Sequence, residues 1–191
     1  MSEGEAGTAW IVAGAPGSGK STLAARLAAQ QRAFLLDRDV VIAPLIRVIA
    51  ELVGAARDDL DDPRVRDALG DQGYEAVLVT ARQNLLLGRD VVIVAPFTRA
   101  LAEPRQAREL RKRLGSAPLR VAWLSCPEEE RRRRLERRGA TRDAGKLEAA
   151  ALAAEVEPVV RHAVIDCRWP IDEQLSAARR APVIAGEEAS P

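Results

Sequence analysis

Eight residues, Gly14-Ala15-Pro16-Gly17-Ser18-Gly19-Lys20-Ser21, constrain this chain more than any others. They fit the spacing G-x-x-x-x-G-K-[ST]. Before them runs the apolar stretch Ala9-Trp10-Ile11-Val12-Ala13, and after them Thr22 to Ala29, a stretch of strong helix formers. Strand, glycine-rich loop and helix, in that order, is the context in which this spacing has physical meaning. Glycines let the backbone turn successive N–H groups onto an anion, and the positive end of the following helix adds to the field. The pattern predicts a nucleoside triphosphate site over Gly14, Ala15, Pro16, Gly17, Ser18, Gly19, Lys20, Ser21 and Thr22. Lys20 would reach the β- and γ-phosphates, and the Ser21 hydroxyl would ligate Mg²⁺.

Around that loop, five apolar runs alternate with helical segments: Ala9–Ala13, Ala33–Leu36, Asp90–Ala95, Leu119–Leu124 and His162–Asp166. Such alternation reads as βαβ units, a parallel sheet with helices on both faces. With 191 residues and 47% hydrophobic residues, one α/β domain spanning the whole chain is the natural reading. Residues 40–88 form a helical insertion in the second crossover, with Val40–Ala56 apolar at helical spacing and Asp58–Pro63 a break. Residues 1–8 and 182–191 have the composition of frayed termini.

Charge excludes more than it assigns. Twenty-nine basic residues against twenty-eight acidic give a net charge of +1, which offers no argument for nucleic acid or an anionic membrane. No apolar stretch approaches the roughly 20 residues of a membrane span, and the acidic N-terminus lacks a signal-peptide core. The expectation is a cytoplasmic protein. Cys126 and Cys167 have no metal or redox spacing and read as small buried hydrophobes, not as a disulfide scaffold. His162, the only histidine, reads as structural.

Two carboxylates stand at the end of the second strand, in Asp37-Arg38-Asp39. That is the sheet edge where ligands of open α/β folds bind, and residues two apart on a strand end face one way. One acid could hold Mg²⁺ through water, and the other could accept a hydroxyl proton during attack on a γ-phosphate. The alternative for Asp39 is a helix cap ahead of Val40. After the fourth strand, Glu128 to Gly139 is largely a self-paired charged helix. Arg134, Arg137, Arg138 and Arg142 have fewer acids available, and a lid over residues 132–145 would bring one or two of them, with Arg134 and Arg138 preferred, onto the transferring phosphoryl group.

Taken together, the Gly14–Thr22 loop, Asp37-Arg38-Asp39, Ala95-Pro96-Phe97-Thr98-Arg99, the arginines from 134 to 142 and Asp166 resemble the small P-loop kinases. That group contains shikimate kinase and gluconate kinase, and within it the chain looks most like the AAA-labelled kinase-like ATP-binding proteins of bacteria. The resemblance implies a five-stranded sheet in the order 2-3-1-4-5, ATP with Mg²⁺, and transfer to a hydroxyl of a small molecule. By motif match, Asp37 takes the metal-water role and Asp39 the base or acceptor role, with residues 40–88 on the acceptor side. It also implies that Arg168 and Trp169 lie near the adenine. Phe97, Thr98 and Arg99 stand past the third strand as candidates for choosing an anionic or polyhydroxylated acceptor.

The chain departs from the pattern at the third strand, where Val91-Val92-Ile93-Val94-Ala95 ends without an acid. That argues against a motor-type ATPase and leaves Asp37 as the metal support. A nucleoside or nucleotide kinase is the alternative enzyme, disfavoured by 3% aromatic content. A regulatory module that holds ATP without transferring phosphate is the alternative from another class. ATP and a small acceptor are the partners foreseen, for a monomer or a small homo-oligomer.

Overall fold

The computed structural model describes residues 6–56, 62–137 and 157–185. Strand β1 (Ala9–Gly14) is buried along its whole length and forms the centre of the sheet. It pairs in parallel with β3 (Val91–Val94) on one side and β4 (Leu119–Ser125) on the other. Outside these lie β2 (Phe34–Asp37) against β3 and β5 (Ala163–Asp166) against β4, giving the order 2-3-1-4-5. One strand escapes the sequence reading. β6 (Val183–Ile184) pairs antiparallel with the first half of β4, while β5 covers its second half. Among the described residues the sheet therefore has six strands, and residues 183–184, read as part of a frayed terminus, are built into it. At the other end Thr8 is also held, its N–H donating to Asp90 Oδ1 at 2.7 Å.

Alternation along the strands divides the core. Ile11, Ala13, Val91, Ile93, Val121 and Trp123 face α4 (Gln72–Leu86), α5 (Thr98–Ala102) and α6 (Pro104–Leu114). Their neighbours Trp10, Val12, Val92, Val94, Ala122 and Leu124 face α1 (Lys20–Gln31) and a C-terminal helix, Ile171–Arg179. Near-continuous apolar strands are what a sheet covered on both faces requires. Two further helices, α2 (Arg38–Leu52) and α3 (Pro63–Leu69), share a small core of their own around Ile42, Ile46, Ala50, Val65 and Leu69. Helix α7 (Glu128–Arg137) follows β4, and Ile171–Arg179 is α8. Among the described residues no helix is long and apolar enough to cross a membrane.

The cysteines correct the sequence reading. Both are buried, at 1% and 4% exposure, but they are joined as a disulfide with Cα atoms 5.2 Å apart. The register explains it: Ser125 stands opposite Asp166 on adjacent parallel strands, so the next residue on each, Cys126 and Cys167, arrives at the same level. His162 precedes β5, with Nδ1 2.7 Å from the Val160 carbonyl and Nε2 3.3 Å from Glu157.

Candidate functional site

Sheet geometry delivers the glycine loop to the C-terminal edge, where β1 stops and α1 begins. At Gly14, φ is 139°, and a Cβ there would lie 2.5 Å from the Leu124 carbonyl oxygen. Gly17 has φ 80° and lies under α7, where a Cβ would meet the Arg131 carbonyl oxygen at 3.1 Å. No side chain caps α1, whose N-cap is Gly19, and its first turn carries no acid. A helix start of this kind suits an anion, which lies in line with the positive end of the helix dipole. Lys20 folds over the loop, Nζ donating to the Ala15 carbonyl at 2.7 Å.

The acids assemble differently from the strand-end expectation. Helix α2 starts at Arg38, and its N-cap is Asp37, which accepts the Asp39 N–H at 3.1 Å through Oδ1. The other oxygen of Asp37 accepts from the Ser21 hydroxyl at 2.7 Å. The capping role once open to Asp39 thus falls to Asp37, and Asp39 lies in the first turn of the helix with a largely exposed side chain. A cleft of about 240 Å³ is lined by Lys20, Ser21, Asp37, Arg38, Asp39 and Pro96, among others. Ser21 and Asp37 offer two hard oxygen donors side by side, which suits Mg²⁺, an ion that keeps several waters and takes the rest of its ligands from phosphates. Among the described residues no group of three or more His, Cys, Asp or Glu makes an all-protein cage.

Arg38 carries no signal of its own in the sequence, where it sits between two more conspicuous acids. In the fold its guanidinium carbon lies 4.5 Å from the centre of the Tyr74 ring, and Nη1 donates to Asp39 Oδ1 at 3.2 Å. Opposite, Gly73 of α4 leaves the room it needs, since a Cβ there would lie 3.2 Å from Nε and 3.3 Å from Nη2.

Beside the loop opens a second cleft of about 420 Å³, lined by Gly19, Thr22, Arg134, Arg137, Trp169 and Gln174 among others. Trp169 is 41% exposed and is not a core residue. Gln174 holds the turn behind it, donating to the Trp169 carbonyl at 2.8 Å. Arg168 goes elsewhere: its Nε and Nη2 form a fork on Asp166, and this guanidinium pulls the Asp166 carboxyl down to about 2. Arg134 is anchored as part of α7, with Nε on Glu130 at 2.8 Å, Nη1 on the Ser18 carbonyl at 3.3 Å and Nη2 on the Cys167 carbonyl at 3.0 Å. It is not short of acidic partners, since Glu130 is held below the usual carboxylate range by the hydrogen bond from Arg134. Arg138, Arg142 and the greater part of the foreseen lid lie outside the described residues.

The acceptor expectation for Phe97, Thr98 and Arg99 needs correction. Phe97 is 2% exposed, packed in the core with its ring 5.4 Å from that of Tyr74, so it presents no apolar face to the cleft. Its φ of 48° is a left-handed conformation that a bulky residue adopts only when packing holds it there. Thr98 and Arg99 line a separate groove between α4 and the α5–α6 pair, together with Tyr74, Glu103 and Arg113. They are absent from the residues lining the cleft at Asp37 and Asp39.

Comparison with known proteins bears on the family and the fold. Residues 10–159 match the model of an AAA domain family. In three dimensions the chain is similar to a gluconokinase from Sinorhizobium meliloti 1021, with 18% identity over 92% of this chain and 90% of that one and a TM-score of 0.58. It is similar to shikimate kinase from Bacteroides thetaiotaomicron, with 14% identity over 88% and 94% and a TM-score of 0.55. A third likeness is to APS kinase from Mycobacterium tuberculosis in complex with AMPPNP and APS, with 21% identity over 91% and 95% and a TM-score of 0.55. No curated protein matches in sequence. At these identities the structures speak to the fold, and the family model covers most of the chain: it belongs to the AAA domain family and has the fold of the small P-loop kinases.

Proposed function

We propose that this protein is an ATP-dependent phosphotransferase that moves the γ-phosphate to a hydroxyl of a small molecule. One observation carries the reading: Ser21 of the phosphate loop and Asp37 of the acid pair are joined at 2.7 Å, with Lys20 and Asp39 on the same small cleft. Phosphate-binding and proton-accepting groups thus share one opening. The loop N–H groups and Lys20 bind the triphosphate, Lys20 exchanging its Ala15 carbonyl for phosphate oxygens. Ser21 and Asp37 are the residues that would hold Mg²⁺, which supplies neutralisation of phosphate charge when bound. Asp39, exposed at the mouth of the cleft, orients the acceptor hydroxyl and takes its proton. Arg134 and Trp169 lie on the nucleotide side, Trp169 offering a ring face to the base.

The test is acceptor-dependent ADP release, measured over sugars, sugar acids, amino acids, aminoglycosides and nucleosides with Lys20→Ala as the blank. We expect Mg²⁺-dependent turnover in the wild type and none above background in the variant. Tryptophan fluorescence follows the nucleotide independently, because Trp10 and Trp123 are buried and Trp169 is exposed. ATP should change the emission, and the change should vanish in Trp169→Leu. Nucleotide binding without acceptor-dependent ADP release would refute the transferase and leave a nucleotide-binding module, a reading that the acid-free end of β3 favours.

A further inference from the structure

Arg38 and Asp39 are adjacent in sequence and paired, yet the pair is not an ordinary surface contact. The Arg38 side chain is only 19% exposed, against 64% for Asp39. Its guanidinium is confined on three sides: by the Tyr74 ring, by the bare backbone of Gly73, and by Asp39 Oδ1 at 3.2 Å. Tyr74 is in turn braced by Phe97, the residue held at φ 48°. A stack therefore runs from the core through Phe97 and Tyr74 to Arg38, and ends at the wall of the cleft that contains Lys20. Among the described residues, Nε of Arg38 is buried with no hydrogen-bond partner. A surface ion pair needs none of this apparatus. A cation that must meet a ligand in one orientation does, because a fixed planar fork is what distinguishes guanidinium recognition from a point charge.

We propose that Arg38 selects the acceptor by taking an anionic group, a carboxylate or a phosphate, that the acceptor carries beside its reacting hydroxyl, and that in doing so it releases Asp39. This rests on the phosphotransferase reading above and names its substrate class. With no acceptor present, Arg38 holds the Asp39 carboxylate. An acceptor anion competes for the same guanidinium, and Asp39, whose side chain is free to turn into solvent, leaves the pair and accepts from the hydroxyl. The hydroxyl oxygen then forms its bond to the γ-phosphorus, the bond from the γ-phosphorus to the bridging oxygen breaks, ADP departs with that electron pair, and the hydroxyl proton passes to Asp39. A neutral acceptor offers Arg38 nothing in exchange, so Asp39 stays engaged. Arg99, the cation singled out in the sequence, lines a different groove and is not among the residues lining this cleft.

The experiment compares matched acceptors, sugar acids against the sugar alcohols of the same carbon chain and sugar phosphates against the free sugars. Wild type, Arg38→Met, Gly73→Ala and Arg99→Ala are assayed by ADP release, with ATP-analogue affinity measured separately. Wild type should prefer the anionic member by about 10- to 100-fold in kcat/KM, the worth of one hydrogen bond to a charged group. Arg38→Met should close the gap from both sides, raising KM for the anionic member and, with Asp39 released, raising turnover of the neutral one. Gly73→Ala, which keeps the charge and crowds the guanidinium from its seat, should lose part of the preference and so separate placement from charge. ATP-analogue affinity should stay within about twofold throughout, well below the tenfold that 1.4 kcal/mol represents. Turnover that is blind to acceptor charge, a preference that survives Arg38→Met, or one abolished by Arg99→Ala would overturn the proposal while leaving the phosphotransferase intact. Absence of Lys20-dependent ADP release with every acceptor would overturn both.

Discussion

Asparagine and alanine at position 37 separate two jobs that the structure gives to one carboxylate. Asp37 caps α2 through Oδ1 and meets Ser21 through Oδ2. Asparagine caps a helix about as well as aspartate, and its amide can still face the Ser21 oxygen, so Asp37→Asn should lose only the interaction of the charge with the helix dipole, about 0.5 kcal/mol. Alanine loses that and the cap, about 1.5 kcal/mol together. For a chain of this size each kcal/mol moves Tm by about 2–4 °C, which predicts a fall of about 1–2 °C for Asp37→Asn and about 3–6 °C for Asp37→Ala. Added salt should remove most of the asparagine deficit but only the dipole share of the alanine one, because the dipole effect is screened and the cap hydrogen bond is not. Activity should divide the other way. Both variants remove the anion that would support Mg²⁺, so both should need about 10- to 100-fold more Mg²⁺ for half-maximal turnover. Thermal melts at two salt concentrations and a Mg²⁺ titration of ADP release decide it. Equal Tm values for the two variants would refute the cap, and a wild-type Mg²⁺ requirement in Asp37→Asn would refute the metal role.

Two further outcomes follow from the far end of the sheet. Asp166 has its carboxyl lowered to about 2 by the Arg168 fork, so its contribution to stability is fully present above the unfolded value of 3.8 and is lost as pH falls from there toward 2. A carboxyl NMR titration should give a midpoint near 2 that returns toward the ordinary range in Arg168→Met, and an ordinary midpoint in the wild type would dismiss the fork. The Cys126–Cys167 bond spans 41 residues of sequence, for which chain entropy predicts a loss of about 4 kcal/mol on reduction. Thiol titration of the unreduced, denatured protein should find no free thiol, and two would show the cysteines unbonded.

Some of this was legible from residue order alone. The phosphate loop is a local object: its glycines, its lysine and the helix behind it are contiguous, so spacing suffices to read it. Apolar runs of four to six residues separated by helical stretches likewise announce a covered parallel sheet. Strand β6 was missed because two residues carry no periodicity, and their pairing with Leu119 and Arg120 depends on where the C-terminal helix returns the chain.

Tertiary structure decided whatever depends on which residues meet across long separations. Cys126 and Cys167 are neighbours because β4 and β5 lie side by side in one register, and nothing in their flanking sequence says so. Phe97 and Arg99 looked available next to a strand end, but the left-handed Phe97 has its ring in the core and Arg99 lines another groove. Arg38, between two acids, carries no signal of its own in the sequence, and is a candidate only because α4 brings Gly73 and Tyr74 against it. The sequence by itself determined the phosphate-binding end of the site, because a backbone loop binds phosphate through its own conformation. Only the packing of α2 against α4 decided the seat of Arg38, on which the proposed acceptor end rests, because Gly73 and Tyr74 lie more than thirty residues away in sequence.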